Sequence, residues 1–175
     1  MSGHNKFSKI KHQKAKNDAQ KSKVFGKLVR FITVEAKKAG GNLKSPGLAL
    51  AIEKAKKENM PNDTIDRAVK KATTDTANME NILYEAYGPG GIAILIEVLT
   101  DNRNKAAQDI KHILSLHSSE LAAVGSATWA FTKSHEGWKA NMTMPLEDED
   151  IVKLQAMVEA LEESEEVQDV FTNAE

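Results

Sequence analysis

The sequence predicts an α+β protein: an N-terminal three-helix domain with a basic arm, followed by a ferredoxin-like β-α-β-β-α-β domain with an extra N-terminal strand. Three observations predict it. Apolar residues recur at helical spacing from about residue 18 to residue 73. After residue 80, short β-branched and aromatic runs alternate with two further helical patterns. The charge changes sign near the same place. Residues 1–71 hold 16 Lys and 2 Arg against 6 acids, a net +12, and residues 72–175 hold 6 basic residues against 19 acids, a net −13. The formal total of −1 over 175 residues hides this division. Such asymmetry suggests a basic module for a polyanion joined to an acidic one. The expected domains are 1–73 and 80–175.

The elements follow in order. Residues 1–16 carry five Lys and two His with no steady apolar period and single apolar residues at Phe7 and Ile10, and predict an extended basic arm. Val24, Leu28, Phe31 and Ile32 form the apolar stripe of a helix near Asp18–Ala39, capped by Asn17 or Asp18 and stopped by Gly40-Gly41. Ser45-Pro46 starts a second helix with Leu48, Ile52 and Ala55 inward. Asn59 and Pro61 end it, and Asn62 or Asp63 caps a third with Ile65, Ala68, Val69 and Ala72 inward. Residues 73–80 predict a polar linker.

Asn81–Tyr87 and Ile92–Thr100 predict strands around a Gly88-Pro89-Gly90-Gly91 turn. Asp101 or Asn102 caps a helix with Ala106, Ile110, Ile113 and Leu114 on one face. Thr128–Thr132 and Trp138–Met144 predict two strands with a turn at Ser134–Gly137. Glu147–Asp150 opens a helix with Ile151, Leu154, Met157, Val158 and Leu161 on one face, its acids suiting the positive helix end. Val167–Thr172 predicts the last strand, and the two helices are expected to cover one face of an antiparallel sheet.

Composition removes several function classes. With no cysteine, disulfide scaffolds, thiolate nucleophiles and Cys-based metal sites are excluded. Apolar runs such as Ile92–Ile96 are far short of the roughly 20 residues of a membrane span. The Lys-rich start lacks a signal peptide's apolar core, so a cytoplasmic protein without a membrane partner is expected. His112 and His117 stand five apart, off the spacing that shares a helix face, and His4 and His12 have no acid beside them. No GxSxG elbow or Gly-Lys-Ser/Thr phosphate loop occurs. The expectation is a protein that is not an enzyme and needs no cofactor or metal.

What remains is electrostatics. Residues 1–44 carry twelve Lys and Arg opposed by Asp18 and Glu35. The arm offers His4, Lys6, Lys9, Lys11, His12 and Lys14, and the first helix offers Lys23, Lys27 and Arg30. Cations that neutralise phosphates release counterions and give affinity without base specificity, so nucleic acid is the expected partner. Charge leaves DNA and RNA open. Phe7 can stack on a base or pack on its own domain.

Several motifs, in order, resemble one family. Gly3-His4-Asn5-Lys6-Phe7, Ile10-Lys11-His12-Gln13-Lys14 and Lys23-Val24-Phe25-Gly26-Lys27-Leu28 look like the opening of the YebC family. So do Asn59-Met60-Pro61, Thr64-Ile65-Asp66-Arg67-Ala68, Tyr84-Glu85-Ala86-Tyr87-Gly88-Pro89-Gly90-Gly91, Leu99-Thr100-Asp101-Asn102-Arg103-Asn104 and Val167-Gln168-Asp169-Val170-Phe171. The resemblance implies a regulator of gene expression. Some members are described as probable DNA-binding transcriptional regulators. Others, a mitochondrial translational activator among them, act at the ribosome and help synthesis through proline runs. It further implies that the arm and helical domain, with the nine His, Lys and Arg residues named above, contact ribosomal RNA, tRNA or DNA. A shape-driven RNA or ribosome role is slightly favoured, because no recognition helix stands out. A transcriptional regulator is the close alternative, and a protein-interaction adaptor using the acidic module is the alternative of another class. The chain departs from the family where only Lys133–Gly137 stands in place of an inserted third domain. Smaller departures are Phe7 for the usual Trp and Ser118-Ser119-Glu120 for a Gly-rich stretch.

Overall fold

The computed structural model describes residues 18–75 and 78–175. The arm, Asn17 and part of the predicted linker lie outside the described residues. The described chain forms two compact units, divided between Met79 and Glu80.

The first unit holds α1 (Asp18–Lys38), α2 (Pro46–Lys57) and α3 (Asn62–Thr74). α1 stops at glycines with φ +57° and +79°, Gly40 and Gly41, a conformation that other residues adopt only with strain. α2 begins with Pro46 in its first turn, where a missing N–H costs nothing. Ile32 and Ala36 of α1 pack with Leu48, Ala51 and Ala55 of α2 and Ile65, Ala68 and Ala72 of α3. So many alanines bring the helices close together and leave a core of few large side chains.

The second unit holds β1 (Glu80–Tyr87), β2 (Ala93–Thr100), α4 (Arg103–Leu116), β3 (Glu120–Leu121), β4 (Phe131–Ser134), β5 (Gly137–Ala140), α5 (Asp148–Glu162) and β6 (Val167–Thr172). The main sheet runs β3-β1-β2-β6, antiparallel throughout. On one face Ile94, Ile96 and Val98 of β2 meet Ala106, Ile110 and Leu114 of α4 and Leu154, Met157 and Leu161 of α5. On the other face Ala93 and Leu95 meet Phe131, with Trp138 and Ala140 packed alongside. Both faces of β2 are covered, which is why it reads as a nearly continuous apolar run rather than an alternation.

The α+β class, the helical start and the two helices on one sheet face are as predicted. The strand arrangement differs from the ferredoxin-like expectation in two respects: a short β3 that was not expected joins the edge of β1, and the hairpin strands leave the main sheet. β4 and β5 pair only with each other, as a separate hairpin on the sheet face away from the helices. The reason lies in pairing. β1 takes one edge of β2 along eight residues, from Glu80↔Thr100 to Tyr87↔Ala93, and β6 takes the other. No edge of β2 is left for a hairpin strand, so the hairpin lays its apolar side on the sheet instead. Thr128–Ala130 is a 3-10 turn, and the strand begins at Phe131.

Candidate nucleic-acid interface

The helical unit presents cations on all three helices. Lys23, Lys27 and Arg30 stand four and three residues apart, so they share one stripe of α1. All three are half-buried rather than free in solvent, and each is engaged in interactions of its own. His4, Lys6, Lys9, Lys11, His12 and Lys14 lie outside the described residues.

Of the two acids that oppose this charge in the sequence, Glu35 is turned inward. Its carboxylate sits where a side chain on Gly47 would lie, with Oε2 2.0 Å from the position of a Cβ there. It therefore faces the first turn of α2, whose free N–H groups favour negative charge. Lys38 pairs with its other oxygen at 2.9 Å. Lys37 is structural too: its ammonium donates to the Asp75 carbonyl at 3.3 Å and to Asn78 Oδ1 at 3.0 Å, tying the end of α1 to the segment after α3.

Further exposed cations follow in the loop before α2 and on α2 and α3, and sequence reasoning counted them only as charge. Lys44, Lys54, Lys56, Lys57, Lys70 and Lys71 are exposed. Lys57 pairs with Glu53 at 2.9 Å, and the hydrogen bond from Lys57 holds the Glu53 carboxyl below its ordinary value. Lys54 lies 5.5 Å over the Phe31 ring. Exposed pairs of this kind are screened by solvent and contribute little, so a phosphate can take over such a lysine at little cost. Lys56 and Lys57 also border a groove of about 850 Å³ between α2 and α3, floored by Leu43, Ile52 and Ile65.

The α+β unit contains a second constellation that sequence reasoning missed. Glu85, mid-strand in β1, is only 4% exposed. It accepts the backbone N–H groups of Gly125 at 2.6 Å, Ala127 at 2.9 Å and Thr128 at 2.7 Å. Burial works against its charge, but these three donors outweigh burial and hold the carboxyl below its ordinary value. The available signal was an acid set between the apolar pairs Leu83-Tyr84 and Ala86-Tyr87 of β1.

Among the described residues, no group of three or more His or acidic side chains is placed to hold a metal ion. None of the described helices is long and apolar enough to cross a membrane.

Two family models match the chain in tandem. The TACO1/YebC protein N-terminal domain matches residues 5–75, and the TACO1/YebC second and third domain matches residues 79–136. A probable transcriptional regulatory protein of Petrotoga mobilis is 44% identical over 184 residues, covering all of this chain and 71% of the relative. The chain belongs to the TACO1/YebC family. A second relative of the same description, from Halothermothrix orenii, is 42% identical over 98% of this chain and 66% of its own length. A third, from Fervidobacterium nodosum, is 49% identical over 76% of this chain and 54% of its own. This TACO1/YebC chain thus spans between about half and under three-quarters of the curated relatives it matches. The crystal structure of a conserved hypothetical protein, Aq1575 from Aquifex aeolicus, matches with a TM-score of 0.82 at 29% identity, over 92% of this chain and 93% of that one. The second family model stops at residue 136, in the turn between β4 and β5.

Proposed function

We propose that this TACO1/YebC chain is a non-enzymatic, cytoplasmic regulator of gene expression that binds nucleic acid through residues 1–73. In this reading the arm residues His4, Lys6, Lys9, Lys11, His12 and Lys14 act with Lys23, Lys27 and Arg30 of α1 on phosphates. The acidic α+β unit positions the complex. The observation that carries the reading is the division of charge, net +12 before residue 72 and net −13 after it. The target is RNA, at the ribosome, where the protein aids translation, for example through proline runs. Support for RNA is that no recognition helix stands out among the described residues, since RNA helices are bound mainly by shape and backbone contacts.

A second reading, a DNA-binding transcriptional regulator, is favoured by the names of the relatives, which are called probable transcriptional regulatory proteins. Filter binding to a structured RNA and to duplex DNA over a salt series separates the two. Tighter RNA binding with a steep salt dependence supports the proposal, and tighter duplex DNA binding supports the second reading. A shallow slope, or binding to neither, would sink the electrostatic account.

A further inference from the structure

The loop after β3 is tied down from beneath and presents aromatic rings outward. Glu85 holds the N–H groups of Gly125, Ala127 and Thr128. The Tyr87 hydroxyl donates to the Ser126 carbonyl. Trp129 Nε1 donates to the same carbonyl at 2.7 Å and lies 3.3 Å from the Tyr87 oxygen. The polar edges of both rings are therefore satisfied within the loop, and what meets solvent is apolar ring surface. Trp129 is 58% exposed, Tyr87 37%, and Val124 of the same loop 96%. Tryptophan is highly buried on average, so an exposed indole held at two points marks a surface rather than a core defect.

The hairpin that follows this loop carries an exposed lysine in a unit that is otherwise acidic. Residues 80–175 hold 6 basic residues against 18 acids. Arg103, Lys105 and Lys153 are paired with acids, at 3.1, 3.2 and 2.7 Å. Lys139 is on β5, opposite Thr132, on the hairpin that follows Trp129. Two residues on, the Asn141 side chain donates to the Trp129 carbonyl at 3.2 Å and is hydrogen-bonded to the Thr132 hydroxyl. Lys139 is exposed. A fixed aromatic face with a lysine on the neighbouring strand is the pairing that binds an unpaired nucleotide: the ring stacks on the base, and the ammonium meets the phosphate.

We propose that Trp129, with Tyr87 beside it and Lys139 on the following hairpin, is a stacking platform for an unpaired nucleotide of the bound RNA. This rests on the nucleic-acid reading given above and deepens it, because it assigns the α+β unit its own contact and selects single-stranded over paired targets.

The test uses the full chain and two labelled RNAs of equal length, a stem with an unpaired loop and a continuous duplex, in one buffer at one salt concentration. Stacking contributes on the order of 1–3 kcal/mol per base, which corresponds to roughly fivefold to 150-fold in affinity. Trp129→Ala should weaken loop binding by about fivefold or more and leave duplex binding unchanged. Trp129→Phe, which keeps a ring but loses the Nε1 bond, should retain most of the affinity. Lys139→Ala should lower the salt slope by about one. Unchanged thermal melting of each variant shows that the loop remains folded. Loop binding by Trp129→Ala equal to that of the wild type would overturn the platform while leaving the arm-driven reading intact. Equal losses in the Ala and Phe variants would also overturn it, by assigning the effect to the Ser126 anchor. A wild-type chain that binds neither RNA would overturn both proposals.

Discussion

A carboxylate buried in mid-strand has to find donors, and Glu85 finds all of its backbone donors in one loop. Hydrogen bonds to a charged group contribute about 1.5–3 kcal/mol each in net terms, with strong non-additivity among three that share one acceptor. Glu85→Ala is expected to destabilise the α+β unit by about 3 kcal/mol or more, since it leaves buried N–H groups unpaired. Denaturant titration measures this. The pH dependence follows from the lowered carboxyl. The unfolded chain takes up the proton at the ordinary value of 4.5, before the folded chain does. The contribution is therefore complete above that pH and is lost as pH falls through the lower folded value. Between about pH 5 and pH 3 the wild type should lose more stability than Glu85→Gln. Parallel loss in the two proteins would remove Glu85 from the acid response. The apolar neighbours of Glu85 hint at its burial but not at its partners, which stand about forty positions away.

Elements governed by local rules were legible before the structure. The stop of α1 at Gly40-Gly41, the start of α2 at Pro46 and the cap of α4 all fall where local chemistry places them, although the Ser45 hydroxyl makes no cap bond. At α4, Asn102 Oδ1 accepts the Lys105 N–H at 3.1 Å. The turn between β1 and β2 was legible for the same reason. Gly90 and Gly91 have φ +70° and +78°, which a residue with a Cβ enters only with strain. The two are not equivalent. A Cβ on Gly90 would lie 2.4 Å from Leu146 Cδ2, whereas one on Gly91 meets nothing within 4 Å. Both alanine variants should lose about 1–2 kcal/mol to the backbone, and Gly90→Ala should lose more, by up to about 1 kcal/mol, in thermal or chemical unfolding. What was not legible was partnership at long range. The two-residue β3 is too short to carry a period, and the sheet to which β4 and β5 belong depends on which edges β1 and β6 have already filled. The candidate site divides likewise: the basic stripe of α1 is visible in a run of letters, and the Trp129 loop is not.

At the scale of the whole molecule, charge and packing are separated along the chain. The helical unit has a small, alanine-rich core and a cation-rich surface, and the α+β unit buries large aliphatic residues on both faces of β2. Function assigned to the basic arm should therefore be separable from folding. Replacing Lys9, Lys11 and Lys14 with Glu is expected to weaken nucleic-acid binding at least tenfold at moderate salt, while thermal melting barely changes. Unchanged affinity would defeat the arm's role. The β4–β5 hairpin has a consequence of another kind. Ser134 and Gly137 are directly paired, and the chain leaves and re-enters the unit at adjacent points through exposed His135 and Glu136. A polypeptide spliced between those points need not stretch or pry apart its host. The turn is thus a natural socket for an engineered cargo. A fluorescent protein fused into it through short flexible linkers should leave the melting of the α+β unit within a few degrees of the parent, and a collapse of that transition would show the hairpin to be a clasp instead.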